Sequence, residues 1–461
     1  MAFAGIVRKT LGPYYYSRRL NIPNLFANFK EYREHDNWSR EQLLAYQHEQ
    51  MKKMLVHAYR HTKYYRELFD ECSFDPEKYK SSEQLNQLPI LTKDIIRDRL
   101  DDLMADDIGE NECYDSFTGG TSGVKMQFYQ DLVCRSRRVA MQWRSDNWAG
   151  WDPDTTVAYV WPAIQDLMEN PGWKHRLAVK YITRNPIFYA GFMDHERATR
   201  IKEELTSVNP TIIRCFPTPA VTLLEYVADN RIDLPNLKGV ITTGEPLYPH
   251  QTEAIEQGFN AEVFNLYASR EFGTTAAECA AHKDLHIAVD SVLLEITDRG
   301  RQLPLGQHGE ILITDLHNYA MPFIRYQVGD YGQLAEGDCS CGLNYPLLKN
   351  VVGRASDNFI DADGNTIVAV SLVLHLVDNG PKVGQVQIVQ KSVAEVLVRF
   401  TPDPIPDESV KRFYEEHLMR SVKGLQTVKF DIVDKIEPEK SGKYKFAICE
   451  IDPQEIRRLR A

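Results

Sequence analysis

The sequence predicts an α/β fold, with a large N-terminal domain of layered, mostly parallel sheet covered by helices and a small α+β domain at the C-terminus. Three observations predict it. Between positions 157 and 265 short apolar runs alternate with segments of helical period, the pattern of strands joined by helical crossovers. Beyond Leu285 the texture changes to short strands and turns, a β-rich subdomain. From 354 onward the pattern reads as a separate unit, and 461 residues exceed one ordinary domain.

Taken in order, Arg40 to Glu67 has the helical period and is punctuated by His57, His61 and Tyr64-Tyr65. Thr92 is placed to cap a helix running through Leu103. A helix is expected from Asp131 to Ala149, and a strand from Val157 to Trp161 that stops at Pro162. The alternation continues with helix His195 to Thr206, strand Thr211 to Cys215, helix Ala220 to Asp229 and strand Gly239 to Thr243. Helix His250 to Gly258 and strand Ala261 to Asn265 complete it. Strands at Val292 to Ile296, Gly309 to Thr314 and Phe323 to Tyr326 build the β-rich part. In the last unit Asp363-Gly364 makes a hairpin turn and Ser371 to Val377 a short helix. Strand Val393 to Phe400, helix Glu408 to Val422, and strands Thr427 to Val433 and Phe446 to Ile451 follow.

Composition narrows the function classes. Lys and Arg number 54 against 65 Asp and Glu, a net charge of −11. That balance argues against general binding of nucleic acid or anionic membranes. No apolar run approaches membrane-spanning length. The stretch Met1 to Val7 is followed, not preceded, by Arg8 and Lys9, which is not the pattern of a secretory signal. The aromatic and basic run Tyr14-Tyr15-Tyr16-Ser17-Arg18-Arg19 is expected to pack on its own domain, with a membrane surface or partner as the alternative. Eight cysteines in so long a chain do not make a dense disulfide framework, and a reducing cytoplasm is the expected compartment.

The segment Ser116-Phe117-Thr118-Gly119-Gly120-Thr121-Ser122-Gly123-Val124-Lys125 carries the strongest chemical signal. Glycines let the backbone approach an anion, and hydroxyls add donors to a concave row of N–H groups. The spacing matches neither of the two common nucleotide fingerprints, so a phosphate cradle and a flexible hairpin loop both stay open. Ile241-Thr242-Thr243-Gly244-Glu245-Pro246 places a glycine and a carboxylate past a strand's C-terminal end, where ligands sit in open α/β sheets. Asn265-Leu266-Tyr267-Ala268-Ser269-Arg270-Glu271 follows the next strand in the same way, and Arg325-Tyr326-Gln327-Val328-Gly329-Asp330 offers an acceptor suited to sugar hydroxyls. Val352-Gly353-Arg354-Ala355-Ser356-Asp357 lies at the change of texture, and Lys440-Ser441-Gly442-Lys443-Tyr444 is a late glycine-lysine turn. Singly, each also reads as a turn or a solvated charge.

In this order the motifs resemble the adenylate-forming superfamily of acyl-CoA synthetases, and within it the branch of phenylacetate–CoA ligases and capsular-polysaccharide-type ligases. The resemblance covers the chain from about Tyr64 to its end. It implies that a small carboxylic acid and ATP give an acyl-adenylate and pyrophosphate, with CoA as the acyl acceptor. By the same resemblance Thr118, Gly119, Gly120, Thr121, Ser122 and Gly123 cradle the β- and γ-phosphates, and Glu271 holds Mg²⁺. Tyr267 stacks on adenine, with Ala268 and Ser269 beside it and Gly244 and Glu245 lining that pocket. Asp330 accepts from the ribose hydroxyls with Arg354 nearby, Lys443 serves the carboxylate and α-phosphate, and Asp357 is the hinge of a mobile small domain. The domains implied are residues 1–353 and 354–461. The chain departs from the branch at Arg270, where a small hydroxyl residue is usual, and at Gln327-Val328, where R-T is usual. Its loop is also poorer in hydroxyls.

A second constellation comprises Cys279, His282, His286 and the pair Cys339-x-Cys341. These donors suit a tetrahedral zinc site, with buried or free thiols as the alternative. The resemblance implies a structural zinc held by Cys279, His286, Cys339 and Cys341, in a subdomain of about 279–345. His286 is preferred to His282 because it opens the strand-like Leu285-His286-Ile287. Cys72, Cys113, Cys134, Cys215 and Cys449 read as packing residues. Two other functions stand beside the CoA ligase: an adenylating ligase that passes the acyl group to an amine, a hydroxyl or a carrier-protein thiol, and a degenerate nucleotide-binding module. No nucleic-acid partner is expected, and a homodimer is among the assemblies the reading allows.

Overall fold

The computed structural model describes residues 22–117, 126–161, 185–190 and 193–352. Toward the C-terminus it describes 359–364, 366–367, 383–402, 404–436 and 447–452, with a few isolated positions besides. The expected sites at Thr118 to Gly123, Arg354, Asp357 and Lys443, and the opening Tyr14 to Arg19, lie outside the described residues. The chain folds as two compact units, residues 1–328 with 333–349, and residues 350–461 with Gly329–Gly332.

In the first unit β1 (Cys113–Phe117) and β2 (Gln127–Asp131) form an antiparallel hairpin, with Phe117 opposite Gln127. A twelve-stranded sheet follows. Its parallel half comprises β3 (Val157–Trp161), β4 (Ile187–Tyr189), β5 (Ile212–Cys215), β6 (Gly239–Thr243) and β7 (Glu262–Ser269), in the order β4-β3-β5-β6-β7. Then come β8 (Gly273–Glu278), β9 (Leu285–Ile287), β10 (Val292–Asp298), β11 (Arg301–Gln302), β12 (His308–Asp315), β13 (Tyr326–Leu334) and β14 (Leu347–Val352). They extend the same sheet in the order β7-β8-β9-β14-β13-β12-β10-β11, so the β-rich stretch beyond Leu285 continues the parallel part without a break.

Side-chain alternation explains why helices cover both faces of the parallel half. Ala158, Ile213, Val240 and Val263 face one core with Leu205, Leu223 and Ile255 from the helices His195–Val208, Pro217–Tyr226 and Pro249–Phe259. Their neighbours Val157, Ile212, Ile241 and Phe264 face the other core, with Leu25 and Tyr32 from the helix Leu25–His35 and Ala140 and Met141 from the helix Leu132–Trp148.

Several boundaries differ from expectation. The helical period from Arg40 to Glu67 conceals a break at Thr62, whose backbone is extended (φ −121°). Its hydroxyl accepts from Tyr65 N–H and starts a second helix, Lys63–Glu71. Thr92 caps a helix of only Lys93–Asp98, because Arg99 leaves the helical region before Leu100–Leu103. Phe323 to Tyr326 is not a strand. Pairing starts at Tyr326, where Leu91 makes a parallel bridge.

Charged residues lie beneath the helix Leu25–His35. Arg144, 1% exposed, stands 3.2 Å from Asp36 and 3.7 Å from Asp290. The rings of Trp148 and Tyr345 lie 4.4 and 4.6 Å from its guanidinium. His35 Nδ1 is 2.9 Å from Asp290 Oδ2, which also accepts from the Tyr345 hydroxyl. Arg40 donates to the Tyr345 carbonyl and Asn344 to that of Trp38. Buried charge is tolerated only when paired this closely.

In the second unit β15 (Phe359–Ile360) and β16 (Thr366–Ile367) pair across the Asp363-Gly364 turn. The other strands are β17 (Val386–Ser392), β18 (Glu395–Phe400), β19 (Thr427–Ile432) and β20 (Ala447–Cys449). They form a sheet in the order β19-β18-β17-β20. The helix Glu408–Ser421, capped by Asp407, contributes buried Val410, Tyr414 and Leu418. The helix expected over 371–377 lies largely outside the described residues.

Candidate active site

At the C-terminal end of β6 the chain turns at Gly244, with φ +83°. A Cβ there would lie 2.4 Å from the Phe216 ring, so both conformation and space call for glycine. Phe216 itself packs edge-on against Trp161, 4.8 Å between ring centres. The Glu245 carboxylate accepts from Thr218 N–H at 3.1 Å, at the start of the helix Pro217–Tyr226. That helix N-terminus favours a negative charge.

Tyr267, Ala268 and Ser269 belong to β7 rather than to the loop after it. The parallel ladder to β6 ends at Leu266, but the antiparallel ladder to β8 carries the extended backbone on to Ser269, with a register shift between Tyr267 and Ala268. The turn that follows holds Arg270 and Glu271. Glu271 is 2% exposed, and its Oε1 accepts from the Tyr326 hydroxyl at 3.2 Å. The turn is clamped through its carbonyls: Gln130 donates to those of Arg270 and Glu271 at 3.3 and 3.4 Å. Arg138 donates to the same two carbonyls and pairs with Asp315 at 2.8 Å. Arg270 itself reaches to 3.5 Å from the Phe117 carbonyl.

Those clamps come from the elements that flank the glycine segment. Phe117 is the last residue before it, while Met126 Sδ, just after it, lies 3.8 Å from the Tyr326 hydroxyl. The chain therefore enters 118–125 at Arg270 and leaves it at Tyr326, whose hydroxyl donates to Glu271. Asp131, at the end of β2, caps the helix Leu132–Trp148 through Cys134 N–H and accepts from the N–H groups of Tyr319 and Ala320. Asp330 lies on β13, after Gly329 at φ +87°, and is 8% exposed.

Cys279, His286, Cys339 and Cys341 come together, each offering one donor atom within 4.8 Å of the others. Cys279 Sγ is 3.6 Å from Cys339 Sγ, and His286 Nε2 is 3.3 Å from both Cys279 Sγ and Cys341 Sγ. Tetrahedral zinc with bonds near 2.3 Å to sulfur sets sulfurs about 3.8 Å apart, so spacing and donor type fit that ion. Backbone N–H groups of Ala281 and Leu343 point to the sulfurs of Cys279 and Cys341. Burial pushes the Cys279 thiol up to about 12, since a thiolate there needs a cation beside it. Burial, with the Arg144 guanidinium, lowers His286 to about 4, which keeps its imidazole neutral. His282 takes no part: at φ +47° it turns toward Glu278 and packs on Phe264. Of the other cysteines Cys134 and Cys215 are buried, while Cys72, Cys113 and Cys449 are half-buried.

Comparison with known proteins accords with this geometry. The CapK C-terminal domain family matches residues 359–450. A phenylacetate-coenzyme A ligase from Thermus thermophilus is 25% identical over 339 residues, 70% of this chain and 72% of that protein. Protein CapK from Staphylococcus aureus is 24% identical over 422 residues, 89% of this chain and 90% of that one. The chain is thus similar to adenylate-forming ligases of the phenylacetate–CoA ligase and CapK branch. The fold is similar to that of 2-hydroxyisobutyryl-CoA ligase in its postadenylation state, with a TM-score of 0.66 at 19% identity over 92% of this chain and 93% of that one. Among the described residues no helix is long and apolar enough to cross a membrane. Motif reading missed Gln130, Arg138 and the Tyr326 hydroxyl, which fix the Glu271 turn. Tyr326 lies within the Arg325 to Asp330 motif, while Gln130 and Arg138 carry no local signature because they act on backbone carbonyls far along the chain.

Proposed function

We propose that this chain activates a small carboxylic acid with ATP and passes the acyl group to CoA. A carboxylate oxygen of the acid attacks the α-phosphorus, the bond to the β-phosphate breaks, and pyrophosphate leaves. The CoA thiolate then attacks the acyl carbon and AMP departs. The observation that carries this reading is that the glycine segment is entered at Arg270 and left at Tyr326, the neighbour and the hydrogen-bond donor of buried Glu271. It supports Thr118 to Gly123 as the cradle of the leaving pyrophosphate. Glu271, held by Tyr326, is the group that would hold Mg²⁺, whose charge offsets that of the phosphates when bound.

Tyr267 to Ser269, Gly244 and Glu245 are assigned to the adenine end, and Asp330 with Arg354 to the ribose. Lys443 is assigned to the carboxylate and α-phosphate, and Asp357 to the hinge between residues 1–353 and 354–461. Cys279, His286, Cys339 and Cys341 are assigned a structural zinc. The aromatic pair Trp161 and Phe216, against Gly244, favours a flat or aryl acid.

A second reading concerns only the acceptor. CapK aligns along 89% of this chain, against 70% for the phenylacetate–CoA ligase, and the small domain matches the CapK family. That favours considering an amine, a hydroxyl or a carrier-protein thiol in place of CoA. Pyrophosphate release measured over a panel of aryl, fatty and amino acids, with and without CoA, tests both. Acid-dependent release with CoA-dependent turnover supports the ligase. Turnover indifferent to CoA and stimulated by an amine overturns the CoA step, and Lys443→Ala with undiminished release overturns the role of that lysine.

A further inference from the structure

Upstream of the glycine segment, the helix Arg40–His61 ends against the loop 105–107. His57 and His61, one turn apart, share a face of that helix. The loop is pinned there: Asp106 N–H donates to the His61 carbonyl and Ala105 N–H to that of Ala320, both at 2.9 Å. Facing the two imidazoles is Asp107, whose Oδ2 lies 3.8 Å from His57 Nδ1 and 3.6 Å from His61 Nδ1. One donor atom from each of the three lies within 4.8 Å of the others.

The tautomer of His57 is set by its other nitrogen. Nε2 is 2.9 Å from the Tyr319 carbonyl, which can only accept, so Nε2 carries the proton. In a neutral ring Nδ1 then presents a lone pair toward a carboxylate oxygen. An imidazole held by a carbonyl on one nitrogen, with the other free for coordination, is the arrangement of metal-ligating histidines. Bonds near 2.1 Å place such donors roughly 3.0–3.4 Å apart, so the two imidazole-to-Asp107 distances would close by roughly 0.2–0.8 Å, and the imidazole donors, within 4.8 Å of each other, would draw together as well. The competing arrangement is a pair of imidazolium–carboxylate contacts, since Asp106 also lies 2.9 Å from His61 Nδ1. Of the cations beside the cluster, which include Lys52, Lys53 pairs with Glu49 and Arg60 with Glu77, each at 2.7 Å.

We propose that His57, His61 and Asp107 bind a divalent transition-metal ion at the C-terminal end of this helix. Two imidazoles and one carboxylate suit zinc, nickel or cobalt, and exclude thiolate from the coordination sphere. The site is independent of the reaction assigned above.

Co²⁺ titrated into the full-length chain is the probe, read by equilibrium dialysis and by absorption. The wild type should bind one Co²⁺ per chain that raises no thiolate-to-metal charge-transfer band. His61→Ala and Asp107→Asn should each weaken that binding by about tenfold or more, while Cys341→Ser leaves it in place. Equal binding by wild type and His61→Ala overturns the proposal. So does a wild type whose bound Co²⁺ is all lost in Cys341→Ser.

Discussion

Replacing Gly244 by alanine tests the geometry at the end of β6 without assuming any reaction. Its φ of +83° is costly for a residue with a Cβ, by about 1–2 kcal/mol. The added methyl would also sit 2.4 Å from the Phe216 ring, about 1 Å inside ordinary contact. That ring is also held edge-on against Trp161, 4.8 Å between ring centres, which limits how far it can shift. Overpacking of this kind costs about 1–3 kcal/mol. Gly244→Ala is therefore expected to destabilise the first unit by roughly 2–5 kcal/mol in total. The two contributions separate in a double-mutant cycle with Phe216→Ala, followed by urea unfolding of all four proteins. The dihedral cost persists in both backgrounds and the steric cost vanishes with the ring, leaving a coupling of about 1–3 kcal/mol. Additivity to within about 0.5 kcal/mol would refute the contact.

Further outcomes are expected elsewhere. Glu271→Gln should abolish acid-dependent pyrophosphate release while leaving the unfolding midpoint nearly unchanged, and Tyr326→Phe should raise the Mg²⁺ concentration needed for half-maximal release. Activity of Glu271→Gln at the wild-type level would refute the assignment. Metal analysis should find one zinc per chain at the thiol cluster, and Cys339→Ser or a strong chelator should lower the melting temperature; absence of near-stoichiometric zinc removes the site. Burial and the Arg137 guanidinium lower His317 to about 4 from its ordinary value near 6.5. The unfolded chain thus takes up the proton first, and stability present above pH 6.5 is lost as the pH falls toward 4, by on the order of 3 kcal/mol. His317→Gln should flatten that stretch of the stability profile measured by urea midpoints, and an unchanged slope would count against it.

The parallel half of the sheet was legible because each strand is a short apolar run bounded by turn signals, and strand Gly239–Thr243 matches residue for residue. The break at Thr62 was not, since apolar periodicity runs unbroken through it and only a hydroxyl accepting from Tyr65 N–H marks the new helix. The extension of β7 to Ser269 depends on β8, a partner that the local sequence does not reveal. Gly244 could be read from its place after a strand. Arg138 and Arg144 could not, because positive charge on a helix reads as a solvated face until Asp315 and Asp290 fold back against it. His286 and the three cysteines were readable as donors, and their convergence needed β9 and the 339–341 turn to fold together.

The charged layer under the helix Leu25–His35 bears on how the chain is made. Arg40 and Tyr345, which meet beside that layer, are 305 residues apart, and His35 and Asp290 are 255 apart. At synthesis rates of about 5–20 residues per second, the helix Leu25–His35 leaves the ribosome roughly 15–60 s before Tyr345 does. Until Asp290 follows, His35 and Arg144 lack its carboxylate, and the apolar face of the helix has no completed sheet to cover. A nascent chain stopped short of Tyr345 would thus expose both a charged cluster and a greasy stripe, a form that holdase chaperones bind and proteases clear.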